Sequence, residues 1–461
     1  MLRLTRPQES LWDHLLPSQA RTLSDELTRV DALLADERFL EPYRQCFRTR
    51  LGRPTVPVET YLRLMYLKHR YTLGYETLVR EVADSLHWRR FCRIPLDGTV
   101  PHSTTLIKLT RKYGPAVLHE LNTVLIRTAR ERKLLRGQKL RMDTTVIQAP
   151  IEHPTDIGLL ADGVRVVTRL VRRLQTAGAA TRTRFRNRHR TVTRALRAVG
   201  QVLRQRTGDA KVAVDRHTAR ILAVSRQVMT RAQRVLVNSR QTVRQQRGQG
   251  RAMVQQARMQ LHTMMQRTSQ VMVQTEQRLQ GVLAIPDRLV SLFDPEARPI
   301  RRGKLSAKTE FGYKALLTES EERLITHYEV HVGNPGDSGL LAAAFERHVE
   351  AVGRPPRAVA TDRGFASKIN EDFLRAREVP RISLPYRGRL RTARRAHERQ
   401  RWFRRLQRWR AGQEATISLG SRKYHWRSSH LRGRDGADLW LGFGVLVANL
   451  NRLVVLGAAK A

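Results

Sequence analysis

Residues 140–148, LRMDTTVIQ, carry the reading on which the fold turns. The stretch alternates and is rich in β-branched residues, so it reads as a strand. Yet Asp143 stands in its middle. Asp is disfavoured there, because its side chain competes with the strand ladder and burying its charge is costly. Unless Asp143 faces water, a positive group must neutralise it. On the N-terminal side, residues 1–135 read as helices with short connections. PVETYLRLMYLKHRY (57–71) is followed, after Gly74, by YETLVREVADSLHW (75–88), with Leu78, Val79, Val82 and Leu86 at helical spacing. A turn cluster, PLDGTVPH (95–102), precedes STTLIKLTRKY (103–113), which Ser103 can cap, and Gly114-Pro115 separates that helix from the next. Helix, short break, helix with exposed Arg and Lys suits a helix-turn-helix, and equally a helical bundle with a solvated basic face.

On the C-terminal side two unlike segments follow. Residues 164–285 contain no proline and hold 25 Arg and one Lys against three acids, Asp209, Asp215 and Glu276, a net charge of +23. Apolar residues recur at helical spacing, Val167, Leu170, Val171 and Leu174 and later Leu261, Met265, Met272 and Leu279. That pattern predicts long amphipathic helices packed on each other. Beyond Pro286, YKALLTE (313–319) and LITHYEVHV (324–332) read as strands, LLAAAFERHVEAV (340–352) as a helix, and RAVATDRGF (357–365) as a short buried strand ending in a Gly turn. ASKINEDFLRAREV (366–379) reads as a helix and PRISLPY (380–386) as a strand. Strands alternating with helices predict an α/β layer. The expected division is a helical domain over 1–135, an α/β core in two parts over 136–163 and 286–440, a helical insertion over 164–285 and a C-terminal helix over 441–461.

The 461-residue chain carries 86 Lys plus Arg against 41 Asp plus Glu, a formal +45 with pI near 11.6. That field binds polyanions and speaks against a freely soluble metabolic enzyme with a small neutral substrate, so nucleic acid is the expected partner. Cys46 and Cys92 form neither a disulfide framework nor a CxxC pair, which points to a reducing cytoplasm and away from a cysteine zinc site. The apolar stretch 439–458 is interrupted by Asn449, Asn451 and Arg452 and reads as a buried helix, not a membrane span. No GxxxxGK[ST] loop and no HExxH is present. Trp402, Phe403, Leu406 and Trp409 form a stripe that reads first as the core face of a helix, with base stacking the lesser reading.

Asp362 ends a core strand two residues before Gly364, and strand ends in α/β layers are where sites assemble. A third acid would complete a metal site. From Arg387 to Lys423 the acids are Glu398 and Glu414, and Glu414 shares a helix face with Arg410, four positions earlier. Isolated carboxylates on a basic surface are what metal-dependent phosphodiester chemistry requires, since Mg²⁺ takes a few carboxylate oxygens and keeps positions for water and phosphate. Read from the residues alone, three classes remain: a phosphodiester-cutting and -joining enzyme, a metal nuclease without joining, and a non-catalytic protein that coats or bridges nucleic acid.

The order of motifs narrows this. RMDTTVIQ, HPTDIGLLADGVRVVTRLV (153–171), SLFDPEA, GKLSAKTEFGYKALL, THYEVHVGNPGDSGLL, VATDRGFASKINEDF and WRAGQEATISLGSRKY with LRGRDGADLWLGFGVLVANLNRL closely resemble bacterial insertion-sequence transposases with a DDE core. VPVETYLRLMYLKHRYTLGYETLVREVADSLHWRRFC resembles the helical domain that precedes that core. The resemblance implies an RNase H-like catalytic core preceded by an all-α DNA-binding domain. It implies Mg²⁺-dependent cleavage of element ends and strand transfer into target DNA, with two ions per site and Mn²⁺ an acceptable substitute. By the matching motifs the three acids are Asp143, Asp362 and Glu414, with Asp156 and Asp162 nearby but not the main ligands. Relatives carry Tyr, Arg, Glu and Lys in register around the third acid; here Arg410 fits, Gln407 stands at the Tyr position and Ser421 at the Lys position, and Arg422 and Lys423 are adjacent substitutes for contacting DNA. The resemblance further implies a homodimer or higher oligomer on DNA, in the bacterial cytoplasm at the nucleoid and away from membranes.

Overall fold

The computed structural model describes residues 22–46, 54–205, 209–245, 247–301 and 309–459, with Arg3, Leu15, Pro17 and Gln19. The first residues of the GKLSAKTEFGYKALL motif lie outside them. In chain order the elements are α1 (Asp25–Leu34), α2 (Val58–Arg70), α3 (Tyr75–Asp84), α4 (Leu86–Phe91), α5 (Ser103–Glu131) and β1 (Lys139–Gln148). Then come α6 (Asp156–Thr176), α7 (His189–Gln205), α8 (Ala210–Gln245), α9 (Gly248–Leu279), β2 (Arg298–Arg301), β3 (Thr309–Ser320) and β4 (Ile325–His331). The chain closes with α10 (Leu341–Val352), β5 (Ala358–Thr361), α11 (Lys368–Ala376), β6 (Arg381–Ser383), α12 (Thr392–Arg399), α13 (Arg401–Lys423) and α14 (Arg434–Ala458).

Two compact units result, one from Met1–Pro150 with Tyr313–Ala461 and one from Ile151–Gly312. The first is mixed α/β. β4 pairs antiparallel with β3, β3 neighbours β1, and β1, β5 and β6 run parallel. Alternation along β1 decides what each face does. Leu140 and Met142 join Val359, Leu341, Phe345 and Leu374 in a core under α10 and α11. The opposite face turns Arg141 to the Trp409 carbonyl on α13 and packs Ala358 and Ala360 on Leu406 of the same helix. The Trp402–Trp409 stripe is thus a core face: Phe403 and Leu406 are buried, and Trp402 and Trp409 pack against the two alanines.

The helical part of this unit departs from the sequence reading in detail. His102, not Ser103, caps α5, its ring accepting from the Thr104 amide. The break expected at Gly114-Pro115 is present: Gly114, at φ 73° and ψ 175°, leaves the helical conformation, so α5 is two helices meeting at a kink, and glycine takes that φ with no Cβ clash. The 75–88 helix breaks at Ser85, whose hydroxyl caps α4. α14 is long and apolar enough to cross a membrane by length and composition, with 67% of its apolar window buried inside the fold. The asparagine that interrupts its apolar run has a local reason. Asn449 accepts from the Ile325 amide at 2.9 Å, donates to the Ile325 carbonyl at 2.9 Å and to Asn122 on α5 at 2.8 Å. It therefore satisfies the start of β4, where a hydrocarbon side chain would offer the Ile325 amide no acceptor and leave its carbonyl to Asn122 alone.

The second unit is a helical bundle. α6 runs unbroken from Asp156, so residues 156–163 belong to the same helix as the start of the Arg-rich segment, and Ile157, Leu159 and Leu160 share one core with Val228, Leu261 and Leu292. α6 and α9 approach closely at Gly163, where a Cβ would lie 2.6 Å from Thr268 Cγ2. Near its end, β2 pairs antiparallel with residues 309–312 of β3.

Candidate active site

β1 and β5 are in parallel register with Met142 opposite Thr361. Asp143 and Asp362 are the next residue on each strand, and neighbouring strands lie about 4.8 Å apart. Both follow residues of the α13-facing parity, Arg141 on β1 and Ala358 and Ala360 on β5, so the pleat turns both toward α13. The sheet has brought together two acids 219 positions apart. Asp143 accepts from the Thr144 amide at 2.8 Å, and Asp362 from the Gly364 amide at 2.8 Å.

α13 supplies the third group. Arg410 Nη1 lies 3.5 Å from Asp143 Oδ2, and Arg410 Nη2 lies 3.7 Å from Glu414 Oε1. One guanidinium thus stands between the two carboxylates and supplies the neutralising charge that an acid inside β1 demanded. Asp143 is largely shielded and Glu414 is 71% exposed at its side chain. Two other acids of this unit, Glu398 and Glu371, are engaged with other partners. Glu398 takes Arg394 and the Tyr386 amide, and Glu371 takes Arg375, Arg394 and the Tyr386 hydroxyl. Among the described residues no three His, Cys, Asp or Glu are gathered closely enough to hold an ion as they stand.

The position of α13 is fixed by a buried pair that the sequence does not announce. Arg141 on β1 meets Glu319 on β3 at 2.6 and 3.0 Å, with both side chains almost fully buried. Thr416 donates to Glu319 at 2.9 Å, Arg141 donates to the Trp409 carbonyl at 2.6 Å, and Gln413 donates to the Leu317 carbonyl at 3.0 Å. Residues 409, 413 and 416 are one helical stripe, so this polar seam holds α13 against the sheet and aims 410 and 414. Burial pushes the Glu319 carboxyl above its ordinary value, while Arg141 and Thr416 pull it down. A Cβ at position 412 would sit 2.9 Å from Arg141 Nη1, which accounts for Gly412. Gln407, at the Tyr position of the motif, donates to the Thr361 carbonyl at 3.2 Å and to the Ser383 carbonyl and hydroxyl at 2.9 Å. It ties the ends of β5 and β6 to the helix.

Two further groups border the site. Asp337, in the NPGDSG loop, pairs with Lys314 at 2.5 Å, and a Cβ on Gly364 would collide with Asp337 Oδ2 and lie 3.0 Å from Asp362 Oδ1. Asp337 therefore abuts the Asp362 turn, and only glycine fits between them. A cleft of about 470 Å³ is lined by Asp362, Arg363, Pro385, Glu398, Phe403, Arg404, Gln407 and Arg410, three cations around the end of β5. A larger cavity of about 1010 Å³ includes His119, His327, Arg347 and Arg434 in its lining and contains none of the three acids. His327 is half-buried there and held neutral, its pKa lowered to about 3 by desolvation. Arg422 and Lys423 are in the last turn of α13, Lys423 exposed and Arg422 exposed beside it. Asp156 pairs with Arg288 at 2.8 Å and Asp162 with Arg165 at 2.6 Å.

Residues 15–112 match the family model described as a transposase domain of the DUF772 type, and residues 286–450 match the transposase DDE domain. The chain belongs to the insertion-sequence DDE transposases. The second match contains Asp362, Glu414 and the whole of α13, and the first covers the helices α1 to α4. Over 153 residues the transposase is 28% identical to an uncharacterized protein, ORF8 in the nfe locus of Rhizobium meliloti, an alignment spanning 31% of this chain and 71% of that one. No solved structure matches the chain.

Proposed function

We propose that this transposase cuts the ends of its insertion sequence and joins them to target DNA in an Mg²⁺-dependent reaction on an RNase H-like core. The observation that carries the reading is the register of β1 and β5, which sets Asp143 beside Asp362 under a helix whose Glu414 shares Arg410 with Asp143. Asp143, Asp362 and Glu414 offer carboxylate oxygens, the hard donors Mg²⁺ prefers, and Mn²⁺ accepts the same set. Two Mg²⁺ ions held there would activate the attacking oxygen and stabilise the leaving one. Arg410 keeps the carboxylates from repelling one another and is placed to pair with a DNA phosphate. Arg363 and Arg404, at the cleft, and Arg422 and Lys423, at the end of α13, would hold the backbone on either side. Gln407 keeps the ends of β5 and β6 from parting, which fixes Asp362. The chain would act as a homodimer or higher oligomer on paired element ends, in the bacterial cytoplasm at the nucleoid.

The test uses the full chain with a duplex carrying the element's terminal inverted repeats and a supercoiled plasmid target. With Mg²⁺ the expected products are ends cut to a free 3′-hydroxyl and plasmid joined to them; with EDTA neither forms. Cleavage without any joined product would reduce the reading to a nuclease, and no cleavage with either Mg²⁺ or Mn²⁺ would remove it.

A further inference from the structure

From Gly163 to Gly208 the chain holds 13 Arg and no Asp or Glu. The structure sorts them. α7 buries Val192, Ala195 and Val199 on one side. Arg190, Arg194, Arg197 and Arg204 are exposed on the other, falling within a narrow arc at 3.6 residues per turn, and the row runs about 21 Å. Arg182, Arg184 and Arg186 are exposed in the connection that leads into it. Several other arginines of the bundle find partners inside the unit, and the exposed ones on α8 share their helix with Asp215, whereas the α7 row has no acid beside it. Arg226 pairs with Glu276, Arg267 donates to the Leu292 carbonyl, Arg258 donates to Ser239, and Arg288 pairs with Asp156. Among the described residues the α7 arginines have no such partner, so their charge is left facing water.

We infer that the α7 arginine row is a second DNA-contacting surface, which grips the phosphate backbone of duplex DNA without regard to sequence. Duplex DNA presents a phosphate on each strand about every 3.4 Å of axis, so a row of about 21 Å spans about six base pairs. Four guanidiniums unopposed by any carboxylate match that charge, and Gln201, which completes the row, adds a polar group at no electrostatic cost. The apolar side of α7 is already used in the bundle core, so the helix has one face to offer, and that face is charged. The inference rests on DNA being the substrate, as proposed above.

The experiment measures DNA affinity of the full chain against salt concentration, on an element-end duplex and on an unrelated duplex of equal length. One variant carries Arg190→Gln, Arg194→Gln, Arg197→Gln and Arg204→Gln. A control removes the same charge from α8, through Arg216→Gln, Arg220→Gln, Arg234→Gln and Arg240→Gln. Every phosphate that is no longer neutralised lowers the slope of log affinity on log salt by about 0.9. The α7 variant should give up about 3 from the slope on both duplexes, the control less than about 1, and lysine in place of glutamine at the same four α7 positions should restore most of it. Equal falls in variant and control would mean only total charge counts, and an unchanged slope in the α7 variant would mean the row touches no DNA. Either overturns the inference. End cleavage at low salt is read on the same samples: cleavage with an unchanged slope sinks the α7 surface alone, whereas no binding to either duplex at low salt sinks the DNA-processing reading as well.

Discussion

The α/β unit and the helical bundle treat arginine in opposite ways. Arg141 is buried and tied by Glu319 and the Trp409 carbonyl, and Arg410 sits between two carboxylates. Arg190, Arg194 and Arg197 face water. A buried ion pair is expensive to desolvate and contributes little net stability over a hydrophobic isostere, so its presence in the first unit is explained by geometry: it fixes where α13, and with it Glu414, lies against the sheet. Exposed arginines cost little to maintain and contribute a field. One unit uses charge to place atoms; the other leaves charge available to a partner.

The sharpest way to break this contrast is to break the buried pair. Glu319→Ala leaves Arg141 buried without its counter-ion and should destabilise the α/β unit by about 3–5 kcal/mol, seen as a lower midpoint in urea, while any of the α7 substitutions shifts stability by less than about 0.5 kcal/mol. Replacing Arg141 and Glu319 together by Met and Leu should recover much of the stability but not the cleavage rate, because the link to Thr416 and the Trp409 carbonyl goes with them. Full recovery of cleavage in that double variant would show that the pair does not position α13.

Acid should separate the units next. In the α/β unit His348 is buried and His327 half-buried, and desolvation lowers the pKa of each to about 3. Between about pH 6.5 and about 3 the unfolded chain binds these protons and the folded chain does not, so stability rises with pH there and is lost as pH falls below about 6.5. The loss is about 1.4 kcal/mol per pH unit for each histidine. Melting followed from about pH 7 down to about pH 5 should fall accordingly, and His348→Gln should flatten the fall by one proton's share. An unaltered slope in that variant would contradict the assignment. The smallest effect belongs to the bundle: Thr155 caps α6 through the Gly158 amide at 3.1 Å, and Thr155→Ala should cost about 1 kcal/mol in that unit, with DNA salt dependence unmoved.

Much of the site is legible in the sequence because its signals are local. An aspartate inside a β-branched strand, an aspartate before a Gly turn, and Arg410 one helical turn from Glu414 all show in a few residues. So does the apolar spacing of the bundle. What stays silent in the sequence depends on distant pairing. Arg141 stands among ordinary basic residues and Glu319 at the end of an ordinary strand, and only the sheet makes them partners. Asp337 reads as a loop acid until the fold sets it against Gly364. Gln407 reads as a departure from a Tyr position, yet its amide reaches three oxygens on two strand ends. Helix ends are hard to place where one residue decides, as with His102 for Ser103 and with Ser85 inside the 75–88 run, whereas the Gly114-Pro115 break shows in the sequence.

If Asp143, Asp362 and Glu414 act together, with Glu414 carried to the aspartates by α13, cleavage needs all three. Single-turnover cleavage of an element-end duplex in saturating Mg²⁺ tests it most directly, with Asp143→Ala, Asp362→Ala, Glu414→Ala and Glu398→Ala compared at matched DNA occupancy. The first three should lose at least about a thousandfold in rate, a few kcal/mol of barrier, with DNA binding kept or strengthened, and Glu398→Ala should still cut. Cleavage by Glu414→Ala at the unsubstituted rate, with Glu398→Ala inactive, would contradict it.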